Sequence, residues 1–124
     1  MNTDSAPSFP FYISTESRPL SESERSVVLH LLSKLDAPYQ DQVSGLSVVG
    51  RCGCGKCPTV FFLPHAKGDD EHDLVSYIGR DTSGGLVAAV LTEKSGRLSQ
   101  LEFYSVDGHD PIEIPIPESL EPYI

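Results

Sequence analysis

The chain is short of basic residues, has no long apolar run, and lacks a dispersed set of cysteines. Each absence excludes a class. Only 9 Lys and Arg stand against 18 Asp and Glu, a formal charge of −9 over 124 residues. A phosphate backbone needs a basic face, so nucleic acid is excluded as the expected partner. No apolar run approaches the ~18 residues of a membrane span. The start MNTDSAPSFPF has no basic region followed by an apolar core, so no signal peptide is visible. The three cysteines, Cys52, Cys54 and Cys57, are odd in number and crowded into one turn. A secreted disulfide scaffold needs an even, spread set, so the expected compartment is a reducing cytoplasm. No G-x-S-x-G elbow, P-loop or G-x-G-x-x-G signature occurs, and none of the common catalytic motifs points to an enzyme. There is no internal repeat.

What is present reads as one α+β domain. Residues 1–19 are polar, carry Pro7, Pro10 and Pro19, and are expected to form a loose arm, with Phe9, Phe11 and Tyr12 touching the body. The single domain is placed at 20–124. Ser21 followed by Glu24 is a capping box. Val27, Val28, Leu31, Leu32 and Leu35 then make the apolar stripe of an amphipathic helix, which Asp36-Ala37-Pro38 stops. A short second helix is expected over 39–44, because Pro suits a first helical turn. His30 falls on the polar side of the stripe and is expected to be exposed.

From residue 46 the apolar period changes to two. LSVVGRC, PTVFFLP, DLVSYIGRD, LVAAVLTEK and RLSQLEFYSVD each predict a strand. Lys94-Ser95-Gly96 predicts a tight hairpin loop, and Asp81 to Gly85 a longer one. Pro111, Pro115, Pro117 and Pro122 exclude helix and central strand from the tail, which is read as extended, packing Ile112, Ile114 and Ile116. The expected architecture is the amphipathic helix, with its short follower, packed on an antiparallel sheet of about five strands.

The cysteine stretch RCGCGKCPTVFF (residues 51–62) admits three readings. Cys52, Cys54 and Cys57 could share a zinc ion as thiolates, but a fourth ligand is not evident. His65 lies across a predicted strand, roughly 26 Å along at ~3.3 Å per residue. His30, His72 and His109 could approach only through tertiary folding. Cys54-Gly-Lys-Cys57 is also a C-x-x-C, yet Pro58 and the β-branched and aromatic residues after it oppose the helix that activates such thiols. The third reading, which this composition favours, is a Gly- and Pro-punctuated turn between two strands, with the cysteines as small packing residues.

Acidic residues concentrate late. Residues 101–124 hold six acids and no Lys or Arg, and Asp69, Asp70, Glu71 and Asp73 add four in one polar loop. That loop, with His72, matches no calcium-loop spacing. An acidic surface suits a basic protein partner reached by electrostatic steering. Tyr77, Phe103, Tyr104 and Tyr123 are the candidate aromatic anchors of such an interface, beside the four loop acids.

GLSVVGRCGCGKCPTVFF, then GRLSQLEFYSVDG and PIPESL, resemble a group of small bacterial proteins. These share a leading amphipathic helix, a C-x-C-G-x-C-like turn and a late G-x-L-x-x-L-E strand. The resemblance spans roughly 18–121. Such small acidic proteins are similar to immunity proteins of polymorphic (Rhs-type) antibacterial toxins. The resemblance implies a cytoplasmic protein that occludes a cognate toxin domain, and it carries over no catalytic residue. The alternative is a small zinc protein using Cys52, Cys54 and Cys57 in a structural or regulatory role.

Overall fold

A computed structural model of the chain describes residues 13–35, 37–64 and 70–123. Asp69, His65, Phe9, Phe11 and Tyr12 lie outside the described residues. In chain order the elements are β1 (Ile13–Pro19), α1 (Glu22–Leu32), α2 (Ala37–Gln40), β2 (Ser47–Arg51), β3 (Val60–Phe61), β4 (His72–Arg80), β5 (Leu86–Lys94), β6 (Arg97–Ser105) and β7 (Glu121–Pro122). The strands form one seven-stranded sheet in the order β1-β2-β3-β6-β5-β4-β7, with every neighbouring pair antiparallel.

The mixed α and β character and the antiparallel sheet agree with the sequence reading. The sheet is larger than the expected five strands. Both added strands are edges. Residues 13–19, expected in a loose arm, pair with β2. Glu121 and Pro122, in the Pro-rich tail, pair with β4. Neither segment alternates clearly, because an edge strand needs only one neighbour and tolerates proline.

α1 starts at the capping box. Glu24 N–H donates to Ser21 Oγ (3.1 Å), and Ser21 N–H donates to Glu24 Oε1 (2.8 Å). Glu24 is buried because Arg18 of β1 forks onto both its oxygens, at 3.0 and 2.9 Å. That pair ties the first edge strand to the helix start. Burial opposes the Glu24 charge, but Arg18 and the Ser21 backbone outweigh it and lower the carboxyl pKa. The helix closes at Leu32, three residues before Leu35. Gln40 of α2 caps it, donating through Nε2 to Leu32 O and Leu35 O.

Val27, Val28, Leu31 and Leu32 share one buried cluster with Val48, Phe62, Tyr77, Leu91, Leu101 and Phe103. His30, expected to be exposed, is half-buried, its ring edge-on to Tyr77 at 5.5 Å. The β5–β6 hairpin turns on Ser95 and Gly96, both at positive φ (54° and 83°), the conformation a two-residue hairpin requires. In the tail Ile112 is buried, Ile114 half-buried and Ile116 exposed, while Pro115 and Leu120 are buried.

Candidate functional site

The two strands flanking the cysteines end where the Gly and Pro residues predicted. β2 stops at Arg51, β3 begins at Val60, and Cys52 N–H donates to Thr59 O (3.0 Å) to close the loop. The loop is a knuckle of turns with no helix, so the C-x-x-C lacks the helix N-terminus that activates redox cysteines. Its three sulfurs converge, with all ligand atoms within 4.8 Å of one another. Cys54 Sγ and Cys57 Sγ lie 3.4 Å apart. All three thiols are free; Cys54 is exposed, and Cys52 and Cys57 are half-buried. Of the three, Cys57 packs against the core cluster. Three cysteines this close can hold a metal ion.

The thiols differ in acidity. Burial pushes Cys52 up to about 12, and the hydrogen bonds its thiol shares with Cys54 and Cys57 add to this. For Cys54 burial acts upward, but the Lys56 backbone N–H (3.3 Å) and the neighbouring thiols stabilise its thiolate, and the net shift is downward.

The knuckle is anchored at both ends. Thr59 Oγ1 accepts from Phe103 N–H at 2.8 Å and from the Cys57 thiol at 3.4 Å. On the other side Ile112 N–H donates to Lys56 O (2.9 Å), and Lys56 Nζ lies 3.3 Å from Asp110 Oδ2.

A second cluster was not visible in the sequence. Asp81, read only as a turn residue, has a side chain with no solvent exposure. Its Oδ1 accepts from Ser83 N–H, Ser83 Oγ and Gly85 N–H, and its Oδ2 from Glu113 N–H (3.0 Å) and His109 Nε2 (3.1 Å). His109 Nδ1 lies 2.6 Å from Asp107 Oδ1. An imidazole between two carboxylates donates to both only as the imidazolium, the form these contacts favour. Its pKa is raised, first by Asp81 and then by Asp107. Asp81 is held well below the usual carboxylate range: burial acts against its charge, but His109 and the Glu113, Ser83 and Gly85 donors prevail. Asp107 is lowered by Leu86 N–H and then by His109. The ring lies so close over Gly85 that a Cβ there would collide with it. A hollow of about 560 Å³, lined by Gly84, Gly85, Asp107, His109 and Pro111 among others, borders this clamp. With both nitrogens committed, His109 offers it no free base.

The expected interface residues divide. Tyr77 and Phe103 are 4% and 2% exposed and belong to the core, so neither is a surface anchor. Alternation in β6 sends Phe103 inward and Glu102 and Tyr104 outward. The register sets Tyr104, Ala88, Ile78 and Glu121 in one cross-strand row, and Glu102, Val90 and Ser76 in the next. Tyr123 N–H joins the second row at Ser76 O (3.0 Å). Burial raises the Glu102 pKa, and Asp73 and Glu71 raise it further. Tyr104 is raised by burial, then by Tyr123, Glu102 and Asp73. These five groups therefore share one neighbourhood on the sheet face away from the core cluster. Asp73 and Asp70 are exposed; Glu71 is half-buried and accepts from Thr92 Oγ1 (3.2 Å). Glu102 entered the sequence reading only as one acid of the C-terminal run, and the strand register makes it central. Among the described residues, the acids and His72 of the 70–73 segment form no metal cluster.

The site and fold define a small α+β protein with a tricysteine knuckle at one end of its sheet and an acidic, tyrosine-bearing face. The chain belongs to the family described as Domain of unknown function (DUF6984), whose model matches residues 17–115. That span holds α1, the knuckle and the whole Asp81–His109–Asp107 clamp, but not Tyr123. No curated protein and no solved structure matches the chain. Among the described residues, no helix is long and apolar enough to cross a membrane.

Proposed function

We propose that this chain is a cytoplasmic immunity protein, which binds a cognate antibacterial toxin domain and neutralises it by occluding the active site. The observation that supports the reading is the grouping of Glu71, Asp73, Glu102, Tyr104 and Tyr123 on one sheet face. Tyr104 and Tyr123 are 42% and 39% exposed, rigid amphipathic groups of the kind that anchor interfaces. Ala88 and Val90 lie buried in the rows between them, so the exposed part of the face is made by the acids and the two tyrosines. Acids around tyrosines suit a basic cleft and speed encounter with it. The small acidic proteins of the group this chain resembles are themselves similar to immunity proteins, which points the same way.

Co-expression tests it. The product of the adjacent reading frame is made in a bacterial host with and without this chain. Wild type should restore growth, and Asp73→Lys with Glu102→Lys should fail to do so while keeping its circular dichroism and melting point. Equal protection by the folded double variant would move the interface off this face. An adjacent product that is harmless alone would sink the reading.

A second reading, a small zinc-binding protein with a structural or regulatory role, is favoured by the convergence of Cys52, Cys54 and Cys57. Elemental analysis of protein purified without chelator checks it. One zinc per chain, lost in Cys54→Ser, is the expected result.

A further inference from the structure

We propose that the knuckle is an open zinc site, in which Cys52, Cys54 and Cys57 supply three thiolates and the fourth position takes an exogenous soft donor, a thiolate or an imidazole. The inference rests on the zinc reading and adds the coordination of the ion.

The sulfur geometry suits a tetrahedral ion. At a Zn–S length of ~2.3 Å, two thiolates of a tetrahedron stand about 3.8 Å apart. Here one pair is at 3.4 Å and every ligand atom is within 4.8 Å of the others, so small rotations of the side chains suffice. The surroundings are those of a metal-held thiolate. Lys56 N–H points at Cys54 Sγ, and Thr59 Oγ1 sits 3.4 Å from Cys57 Sγ. Such outer hydrogen bonds orient thiolate ligands. Gly55, at φ 76°, lets the chain turn sharply between the second and third sulfur.

The fourth position is what makes the site open. Among the described residues, no further His, Cys, Asp or Glu ligand atom joins the three sulfurs. Two of the described histidines and Asp110 have other places. His30 meets the Tyr77 ring, His109 spends both nitrogens on carboxylates, and Asp110 pairs with Lys56. Cys54, Gly55 and Lys56 are exposed, so the solvent side of the knuckle is the accessible one. Three protein ligands with one exchangeable position is the pattern of zinc sites that bind an external ligand, whereas purely structural sites close with four.

Cobalt(II) in place of zinc reads the coordination directly. The full-length chain is loaded with Co²⁺, and its thiolate-to-metal charge-transfer and d–d bands are followed while imidazole or 2-mercaptoethanol is added. Expected is one cobalt per chain and a saturable shift of the d–d bands, both lost in Cys54→Ser. Failure of wild type to retain zinc or cobalt would remove the zinc reading and this inference together. A cobalt complex whose bands ignore both ligands would leave the zinc reading standing and overturn the open position. Bands that respond only in His65→Ala would also overturn it, by assigning the fourth place to His65.

Discussion

The clamp and the knuckle are both polar clusters, and consecutive residues of one tail segment stitch them together. Ile112 N–H binds the knuckle at Lys56 O, and Glu113 N–H binds the clamp at Asp81 Oδ2. Their chemistry is opposite. In the clamp, both Asp81 oxygens and both His109 nitrogens are spent inside the chain. In the knuckle, the sulfurs chiefly face one another, and Cys54 is exposed. A saturated cluster orders the fold, because each group would cost free energy if left unpaired. A cluster of donors that meet only each other has capacity left for a ligand. The difference separates the structural constellation from the candidate site, although an Asp-His-Asp cluster looks more like chemistry at first sight.

The sharpest way to break that contrast is Asp81→Ala. It leaves His109 Nε2 and three backbone N–H groups without their partner, and each buried donor left unpaired costs about 1–3 kcal/mol. The melting point should fall by roughly 10 °C or more. A loss below about 1 kcal/mol would show that the clamp is not structural. Next is Thr59→Val, which keeps the shape but strands Phe103 N–H under the knuckle. A loss of about 1–3 kcal/mol by urea titration is expected. If zinc binds, adding it should recover part of that loss, since the metal draws the same loop together.

A subtler effect is one of pH. His109 is raised above its ordinary 6.5, so its contribution is full below that value and fades as pH climbs through the raised one. Asp81 and Asp107 are lowered from 3.8, so theirs is full above that value and fades only in strong acid. Wild-type stability should therefore hold between about pH 4 and 6.5, and decline on either side. His109→Gln should flatten the alkaline decline and keep an acid one. Equal alkaline slopes in the two proteins, measured by thermal melts from pH 5 to 9, would refute the imidazolium. The smallest effect is expected in the knuckle. Changing the exposed Cys54 to Ser should move metal-free stability by no more than ~0.5 kcal/mol, as at other exposed positions. A larger change without metal would make this thiol part of the fold after all.

Much of the frame was legible. The Ser21–Glu24 box, the apolar stripe from Val27 to Leu32 and the alternation of 86–94 and 97–105 are local patterns, and each formed the element it specified. The hairpin at Ser95-Gly96 is equally local. The two edge strands were not legible, because their pairing depends on which neighbour lies beside them. Tyr77 and Phe103 were misplaced for a related reason. A tyrosine or phenylalanine has the same identity on either face of a sheet, and only the register decides between core and solvent.

For the candidate sites the division is the same. The sequence by itself determined that three thiols share one tight turn, because Gly53, Gly55 and Pro58 permit little else there. It also determined the acidic balance of the chain. Only the tertiary structure decided that Glu71, Asp73, Glu102, Tyr104 and Tyr123, from three separate strands and the ends beside them, share one face. Only it decided that His109 belongs to Asp81 and Asp107 and not to the cysteines. Hydrogen bonds between residues 28 apart in sequence leave no periodic trace, since the partners are chosen by the fold that brings them within 3 Å or so.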